Sequence, residues 1–240
     1  MMKKNVWHAV SNYPELKFGQ YIVPNFVSNS VAIKVSDNEF VVISPGKPLL
    51  DSWPEEWHRP DIKLHIVMPN GYHYMGVKHW QKTFRNFALY ASRKAITRLM
   101  QQGVVASENE IYALEDKQPP MPQGYSVLLP PGHRAGDAWI KKQDEQGCLW
   151  ITCDSFLNYD RLSNQPVARF TQKLLDAAPG LKMSQVVKWF IIEDRAQFKS
   201  WVLNQLQLDK PTTMIPSHGE IAQAEDLYKK INQLVIDRLD

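Results

Sequence analysis

Three residues with metal-ligating side chains, His133, Asp154 and His218, each follow an apolar, strand-like run and lie on a turn. Neutral imidazole nitrogen and carboxylate oxygen suit Zn²⁺, and two histidines with one carboxylate also suit non-haem Fe(II). Turns at the carboxyl ends of strands are where open α/β sheets usually bind their ligands. These residue types are therefore compatible with a metal site, and a polar network that ties three loops together without a metal is the alternative.

His73 is the fourth candidate ligand, and it lies in the turn 68–76. An apolar run, 64–68, precedes this turn and an amphipathic run, 77–84, follows it. Proline and glycine in the turn end the strand, because one lacks an N–H donor and the other frees a dihedral angle. The order predicts a strand, a turn and a helix, which places His73 at the end of a strand. A histidine that turns outward or only hydrogen-bonds Asp154 is the alternative.

The stretch 68–76 resembles the His-x-His-x-Asp-His-x-Gly signature of the metallo-β-lactamase fold superfamily, in a degenerate form. Pro69 and Gly71 stand at the two first histidines, His73 at the aspartate and Tyr74 at the last histidine. Further stretches resemble other motifs of this family: 44–46 its Asp-x-Gly, with serine replacing aspartate, 131–136 its Pro-Gly-His-x-x-Gly, 152–155 its Thr-Gly-Asp, and 216–219 its Gly-His-Gly. The resemblance covers roughly residues 20–220.

The resemblance implies a ligand set of His73, His133, Asp154 and His218, with Asp154 as the catalytic residue that helps to orient a metal-activated water. The family's two-metal site has six or seven protein ligands, and at most four remain here. With Asp154 as the one anionic ligand, a single divalent ion leaves a net charge of about +1 and two ions leave about +3. We therefore expect one Zn or Fe ion at most, and no organic cofactor.

The resemblance also implies the fold class, which is α/β (α+β): a four-layer αβ/βα sandwich of two mixed sheets flanked by helices. We expect one metallo-β-lactamase-like domain over residues 1–240, made of two β-then-α halves. A charged, proline-rich loop, 115–124, separates the halves.

Local patterns predict the individual elements. Ser52 and Ser92 are predicted to cap helices, and His65, which alternates with Leu64 and Ile66, is predicted to be a packed or edge-strand histidine. His79 is expected on an exposed helix face. The predicted strands are 21–23, 31–35, 40–43, 64–68, 87–90, 125–129, 138–140, 148–153 and 212–215, and the longer predicted helices and amphipathic runs are 77–84, 92–102, 170–177, 183–190, 196–208 and 220–239.

Composition narrows the class of protein. The net charge of +3 comes from scattered basic residues, so no nucleic-acid partner is predicted. Cys148 and Cys153 would lie on opposite faces of one strand, which disfavours a disulfide and suits a cytoplasmic protein. No secretory h-region follows Lys3 and Lys4, and no apolar run reaches the ~18 residues of a membrane span, so we expect no membrane partner.

The predicted function is that of a mononuclear metal-dependent hydrolase acting on an unidentified small molecule. A catalytically inactive relative that binds a ligand or partner through the old cleft is the alternative, and a redox enzyme that uses Fe(II) is a third hypothesis. The sequence does not indicate the substrate or the oligomeric state.

Overall fold

The computed structural model describes residues 3–23, 26–145 and 147–240, and the chain divides after Gln123 into two compact units. The division falls at the end of the proline-rich loop that was expected between two halves. The prediction of a single domain over 1–240 stays a prediction.

The first unit contains a mixed sheet of seven strands in sequential order. Strands β1 to β4 pair in antiparallel fashion, and β4 to β7 pair in parallel. The strands are β1 Trp7–Val10, β2 Tyr13–Val23, β3 Phe26–Lys34, β4 Glu39–Ile43, β5 Lys63–Val67, β6 Asn86–Ala91 and β7 Tyr112–Ala113; the α-helices are α1 Val77–Thr83 and α2 Arg93–Gln101.

Helices α1 and α2 cover one face of this sheet. Alternate residues of β5, Leu64 and Ile66, point into the same core as Trp80 of α1 and Leu99 of α2. The hydroxyl of Ser92 accepts a hydrogen bond from the Ala95 amide, which confirms the predicted N-cap. The predicted cap at Ser52 is wrong: its hydroxyl donates to the Leu49 carbonyl, and the short 3₁₀ helix Glu55–Trp57 begins after Pro54 without a side-chain cap.

His65 is buried on the other side of β5, where it bridges two strands. Its partners assign the Nε2–H tautomer: Nε2 donates to Glu39 Oε1 at 2.8 Å, and the Tyr90 hydroxyl donates to Nδ1 at 3.0 Å. Burial lowers the pKa of His65, and the hydrogen bond from His65 lowers the pKa of Glu39. The packed histidine was therefore predicted correctly, and it occupies a central strand rather than an edge.

Acid should weaken the fold through this histidine. Because the folded state lowers the His65 pKa from 6.5, His65 adds stability above that pH and loses it as the pH falls. Because the folded state also lowers the pKa of Glu39, stability falls further as the pH drops below the ordinary glutamate pKa of 4.5. We expect His65→Phe to lower the free energy of unfolding by about 1–3 kcal/mol at neutral pH and to flatten its pH dependence between about pH 7.5 and 5.5. Urea unfolding at both pH values measures this.

The matched control is His79→Phe, on the exposed face of α1. This substitution should leave both the stability and its pH dependence unchanged. An equal pH dependence in His65→Phe and the wild-type protein would contradict the role assigned to His65.

The second unit contains two smaller sheets and three α-helices. The five-stranded sheet has the order β15-β13-β10-β9-β8, and the three-stranded sheet has the order β12-β11-β14. The strands are β8 Tyr125–Leu128, β9 Trp139–Asp144, β10 Gly147–Ile151, β11 Leu157–Tyr159, β12 Gly180–Lys182, β13 Thr213–Ile215, β14 His218–Gly219 and β15 Ala222–Gln223; the helices are α3 Pro166–Leu174, α4 Arg195–Asp209 and α5 Leu227–Leu239.

The core of the second unit lies between the five-stranded sheet and helices α4 and α5. Phe198, Val202 and Leu206 form the buried stripe of α4 and pack with Trp139 and Trp150 of the sheet. This confirms the prediction that the stripe at helical spacing is core. The predicted helix 220–239 begins only at Leu227, because the residues before it form β15 and a turn.

Both cysteines are buried and reduced, as expected. Among the described residues, no helix is long and apolar enough to cross a membrane.

Candidate metal centre

Two parallel neighbouring strands, β10 and β13, carry Asp154 and His218 to the same end of the second unit. Their register pairs Ile151 with Ile215. Asp154 lies three residues beyond Ile151, and His218 lies three residues beyond Ile215. Both side chains are therefore equally far past the carboxyl ends of the two strands. The Thr152 amide donates to the Ile215 carbonyl at 2.9 Å and extends the pairing toward the two side chains.

Asp154 and His218 are in direct contact. Nε2–H of His218 donates to Asp154 Oδ1 at 3.1 Å, and the side chains of His218 and Asp154 are 13% and 14% exposed. Two ligand atoms that each lie ~2.0–2.1 Å from one tetrahedral ion are about 3.3 Å apart. The contact therefore has nearly the spacing of two ligands on one ion, and its partial exposure gives an ion and water access.

The backbone around His218 is held by a second parallel pairing, between β14 and β11. Gly219 has φ +94°, and an added Cβ would lie 1.9 Å from the Asn158 carbonyl oxygen. The Asn158 side chain also donates to the Glu220 carbonyl at 3.0 Å. Only glycine allows this approach, so the glycine after His218 fixes the imidazole by fixing its strand.

His133 also lies in the second unit, and its side chain is completely buried. Nε2 is 3.5 Å from Asp137 Oδ2, and neither ring nitrogen makes a hydrogen bond to another described residue. The Arg134 amide donates to the Ile191 carbonyl at 2.8 Å, which ties this turn to the segment before α4. The structure thus places His133 beside a carboxylate, and its role as a ligand stays a prediction.

Asp137 lies beside His133 and is within the electrostatic influence of Asp154. Trp139 Nε1 donates to its Oδ2 at 2.8 Å, and the Ser155 hydroxyl donates to the same atom at 3.2 Å. Burial raises the pKa of Asp137, and the charge of Asp154 raises it further, while His133 opposes this.

The acidic groups of this region disfavour one another's ionisation. Burial raises the pKa of the Cys153 thiol well above its ordinary value, and the charges of Asp137 and Asp154 add to the rise. Burial and Asp154 likewise raise the pKa of Tyr159.

Asp137 and Tyr159 were missed from the sequence. Asp137 follows His133 by four residues in a polar turn, a spacing that could have indicated a carboxylate–histidine pair. Tyr159 gave no such signal, because only the fold brings it within the electrostatic influence of Asp154.

His73 lies in the first unit, on the turn after β5. Its Nδ1 shares a hydrogen bond with Ser44 Oγ at 2.7 Å. Ser44 follows β4 and adopts φ +52°, a conformation uncommon outside glycine and asparagine. The Ser30 hydroxyl donates to the Ser44 carbonyl at 2.5 Å and accepts from the Gly46 amide at 3.0 Å, which supports the unusual backbone.

A serine bonded to a histidine can also be a nucleophile and its base. Ser44, however, is only 3% exposed and its backbone is fixed by Ser30. A buried hydroxyl of this kind orients the imidazole through Nδ1, and the role of His73 as a ligand stays a prediction.

The positions of the two missing histidines are occupied by a structural turn. Asn70 Oδ1 accepts from the Tyr72 amide at 2.8 Å, and the Gly71 carbonyl accepts from Arg98 Nε at 3.1 Å. Tyr74 is partly buried, and its hydroxyl donates to Gln102, as expected for packing rather than ligation.

The donor types suit a divalent ion. Asp154 and His218 supply an oxygen and a nitrogen in contact. Imidazole and carboxylate are ligands of Zn²⁺ and of non-haem iron.

Solved structures match this chain along nearly its whole length. They include metallo-β-lactamase FIM-1 from Pseudomonas aeruginosa in the mono-zinc form, with 16% identity, 98% of this chain and 96% of that chain covered, and a TM-score of 0.61. A metallo-β-lactamase from Pontibacter korlensis has 12% identity, 96% and 98% coverage and a TM-score of 0.60.

A flavodiiron protein also matches. The metal-soaked Flv1 flavodiiron core from Synechocystis sp. PCC6803 has 12% identity and a TM-score of 0.61, with 97% of this chain but 61% of that chain covered. No family model and no curated protein matches the sequence.

Proposed function

Since the chain has the fold of the metallo-β-lactamase superfamily, we propose that it is a mononuclear metal-dependent hydrolase that acts on a small molecule. The observation that carries this proposal is the contact between His218 Nε2 and Asp154 Oδ1, at the carboxyl ends of two parallel strands. The coverage of nearly the whole chain by metallo-β-lactamase structures, one of them in a mono-zinc form, supports it.

We propose that Asp154 and His218 hold the ion, with His73 and His133 as the further ligands that the family motifs imply. When bound, a divalent ion lowers the pKa of a coordinated water from ~15.7 towards ~7. One ion balances the single carboxylate of Asp154 better than two, and the missing histidines at Pro69 and Gly71 remove ligands that a second ion would need.

The chain's own residues then have separate tasks. In the metal-free chain His218 Nε2–H donates a hydrogen bond to Asp154, and binding of the ion would replace that bond, because both atoms would become ligands. Asp154 can also accept a hydrogen bond from a water that approaches its exposed edge. Ser44 orients His73 through Nδ1. Asp137 lies 3.5 Å from Nε2 of the buried His133 and is itself fixed by Trp139 and Ser155.

The second candidate is an inactive relative that binds a ligand or partner. The turn at Asn70 and Gly71 favours it, because a turn fixed by its own hydrogen bond and by Arg98 occupies the positions of the two missing histidines. The Asp154–His218 contact would then be an ordinary hydrogen-bonded pair.

Metal analysis of the purified protein separates the two candidates. Protein isolated without chelator or nickel resin should carry close to one equivalent of zinc or iron. Its thermal stability should rise when the metal is restored after chelation, because a ligand that binds only the native state stabilises it. A chain that has no metal and gains no stability from Zn²⁺ or Fe²⁺ would be an inactive relative.

Hydrolysis is tested with activated probes, namely p-nitrophenyl acetate, bis(p-nitrophenyl) phosphate and nitrocefin. We expect turnover of an ester probe that chelation and Asp154→Asn both abolish. Metal binding without turnover of any probe would favour the ligand-binding alternative.

A further inference from the structure

Half of the large apolar side chains exposed in the described part of the chain lie between residues 167 and 190. Val167, Phe170 and Leu174 on α3 are 80%, 67% and 67% exposed, and no residue of this helix is buried. Their spacing of three and four residues places them on one face of the helix. Trp189 and Phe190, at 51% and 63% exposed, lie further along the same segment of the chain.

A backbone contact links the two parts of this segment. The Gln185 amide donates to the Leu175 carbonyl at 2.8 Å, one residue beyond the end of α3. The helical turn Val187–Ile191, which carries Trp189 and Phe190, follows directly.

The same segment concentrates positive charge. Residues 161–190 contain five basic residues and one acidic residue, a net charge of +4, whereas the whole chain carries +3. The acidic residue, Asp176, is paired with Lys182 at 2.9 Å and with Arg238. Arg169 and Lys173 are exposed on the flank of the apolar face of α3, one turn apart.

We propose that this face binds the surface of an anionic phospholipid membrane. An exposed apolar stripe flanked by basic side chains, with tryptophan beside it, is the composition of a helix that lies in the interfacial plane. The sequence-based expectation of no membrane partner rested on the lack of a spanning run, which surface binding does not require. A second copy of the chain fits less well, because a two-fold contact would bring the +4 segment against itself.

Vesicle co-sedimentation tests the proposal. The full-length protein should bind vesicles of phosphatidylcholine with about 30% phosphatidylglycerol, bind pure phosphatidylcholine weakly, and be released by about 0.5 M salt. The double variant Phe170→Ser/Leu174→Ser should lose at least about tenfold in partitioning. The double variant Arg169→Gln/Lys173→Gln should bind the anionic vesicles less tightly, and its weak binding to pure phosphatidylcholine should not change.

Matched controls come from the same chain. Leu208→Ser removes an apolar side chain of α4 that is 73% exposed, and Lys78→Gln/Lys82→Gln removes two exposed charges one turn apart on α1. Neither should change binding. Equal binding of the wild-type protein and Phe170→Ser/Leu174→Ser would overturn the proposal. So would self-association, measured by sedimentation equilibrium without vesicles, that this variant abolishes.

Discussion

His218→Ala should abolish metal binding, with a loss in affinity of at least about 100-fold. Replacing residues that merely support a ligand already costs ~10–100-fold, so removal of a ligand should cost more. Asp154→Asn should have a comparable effect, because it removes the one anionic ligand while preserving the shape of the side chain. Isothermal titration of metal-free protein with Zn²⁺ and metal analysis of the purified variants measure both losses.

His79→Ala is the matched control, since His79 lies on the exposed face of α1. It should bind metal as the wild-type protein does.

His73→Ala should behave like His218→Ala if His73 is a ligand, and Ser44→Ala should show a smaller loss of metal affinity if Ser44 only orients His73. Full affinity in His73→Ala would remove His73 from the ligand set, and full affinity in His218→Ala would contradict the proposed site.

Gly219→Ala should lower the free energy of unfolding by about 3–5 kcal/mol. The added Cβ would meet the Asn158 carbonyl oxygen at 1.9 Å, so β14 and β11 must separate, and the left-handed φ of +94° adds backbone strain. Because His218 lies on β14, the same change should weaken metal binding. Chemical unfolding gives the stability, and amide hydrogen exchange of β11 and β14 locates the opening.

The variant Gly180→Ala separates the cost of the steric clash with Asn158 from the cost of the left-handed backbone conformation. Gly180 lies in the same unit with φ +79°, and an added Cβ would have no atom within 4 Å. Its substitution should cost only about 1 kcal/mol, the cost of the left-handed conformation itself. Equal losses in the two variants would show that the contact with Asn158 does not matter.

Local sequence patterns were sufficient to predict most of the elements and the order of the motifs. Apolar runs predicted β5, β10 and β13, and the helical spacing of Phe198 and Val202 predicted the core face of α4. These signals are local, because side-chain periodicity follows directly from backbone geometry. The turns that follow β10 and β13 could therefore be recognised from residue types, whereas the resemblance to the family's motifs singled out Asp154 and His218 within them.

Long-range packing sets the partner that each polar residue meets. Asp154 and His218 are 64 residues apart, and only the parallel register of β10 and β13 brings them into contact. The bridge from His65 to Tyr90 depends in the same way on burial and on strand neighbours. On α3, the periodicity indicated an apolar face, but only the folded chain leaves that face exposed. Periodicity fixes the direction of a side chain relative to its own backbone, whereas the group that it meets comes from a distant part of the chain.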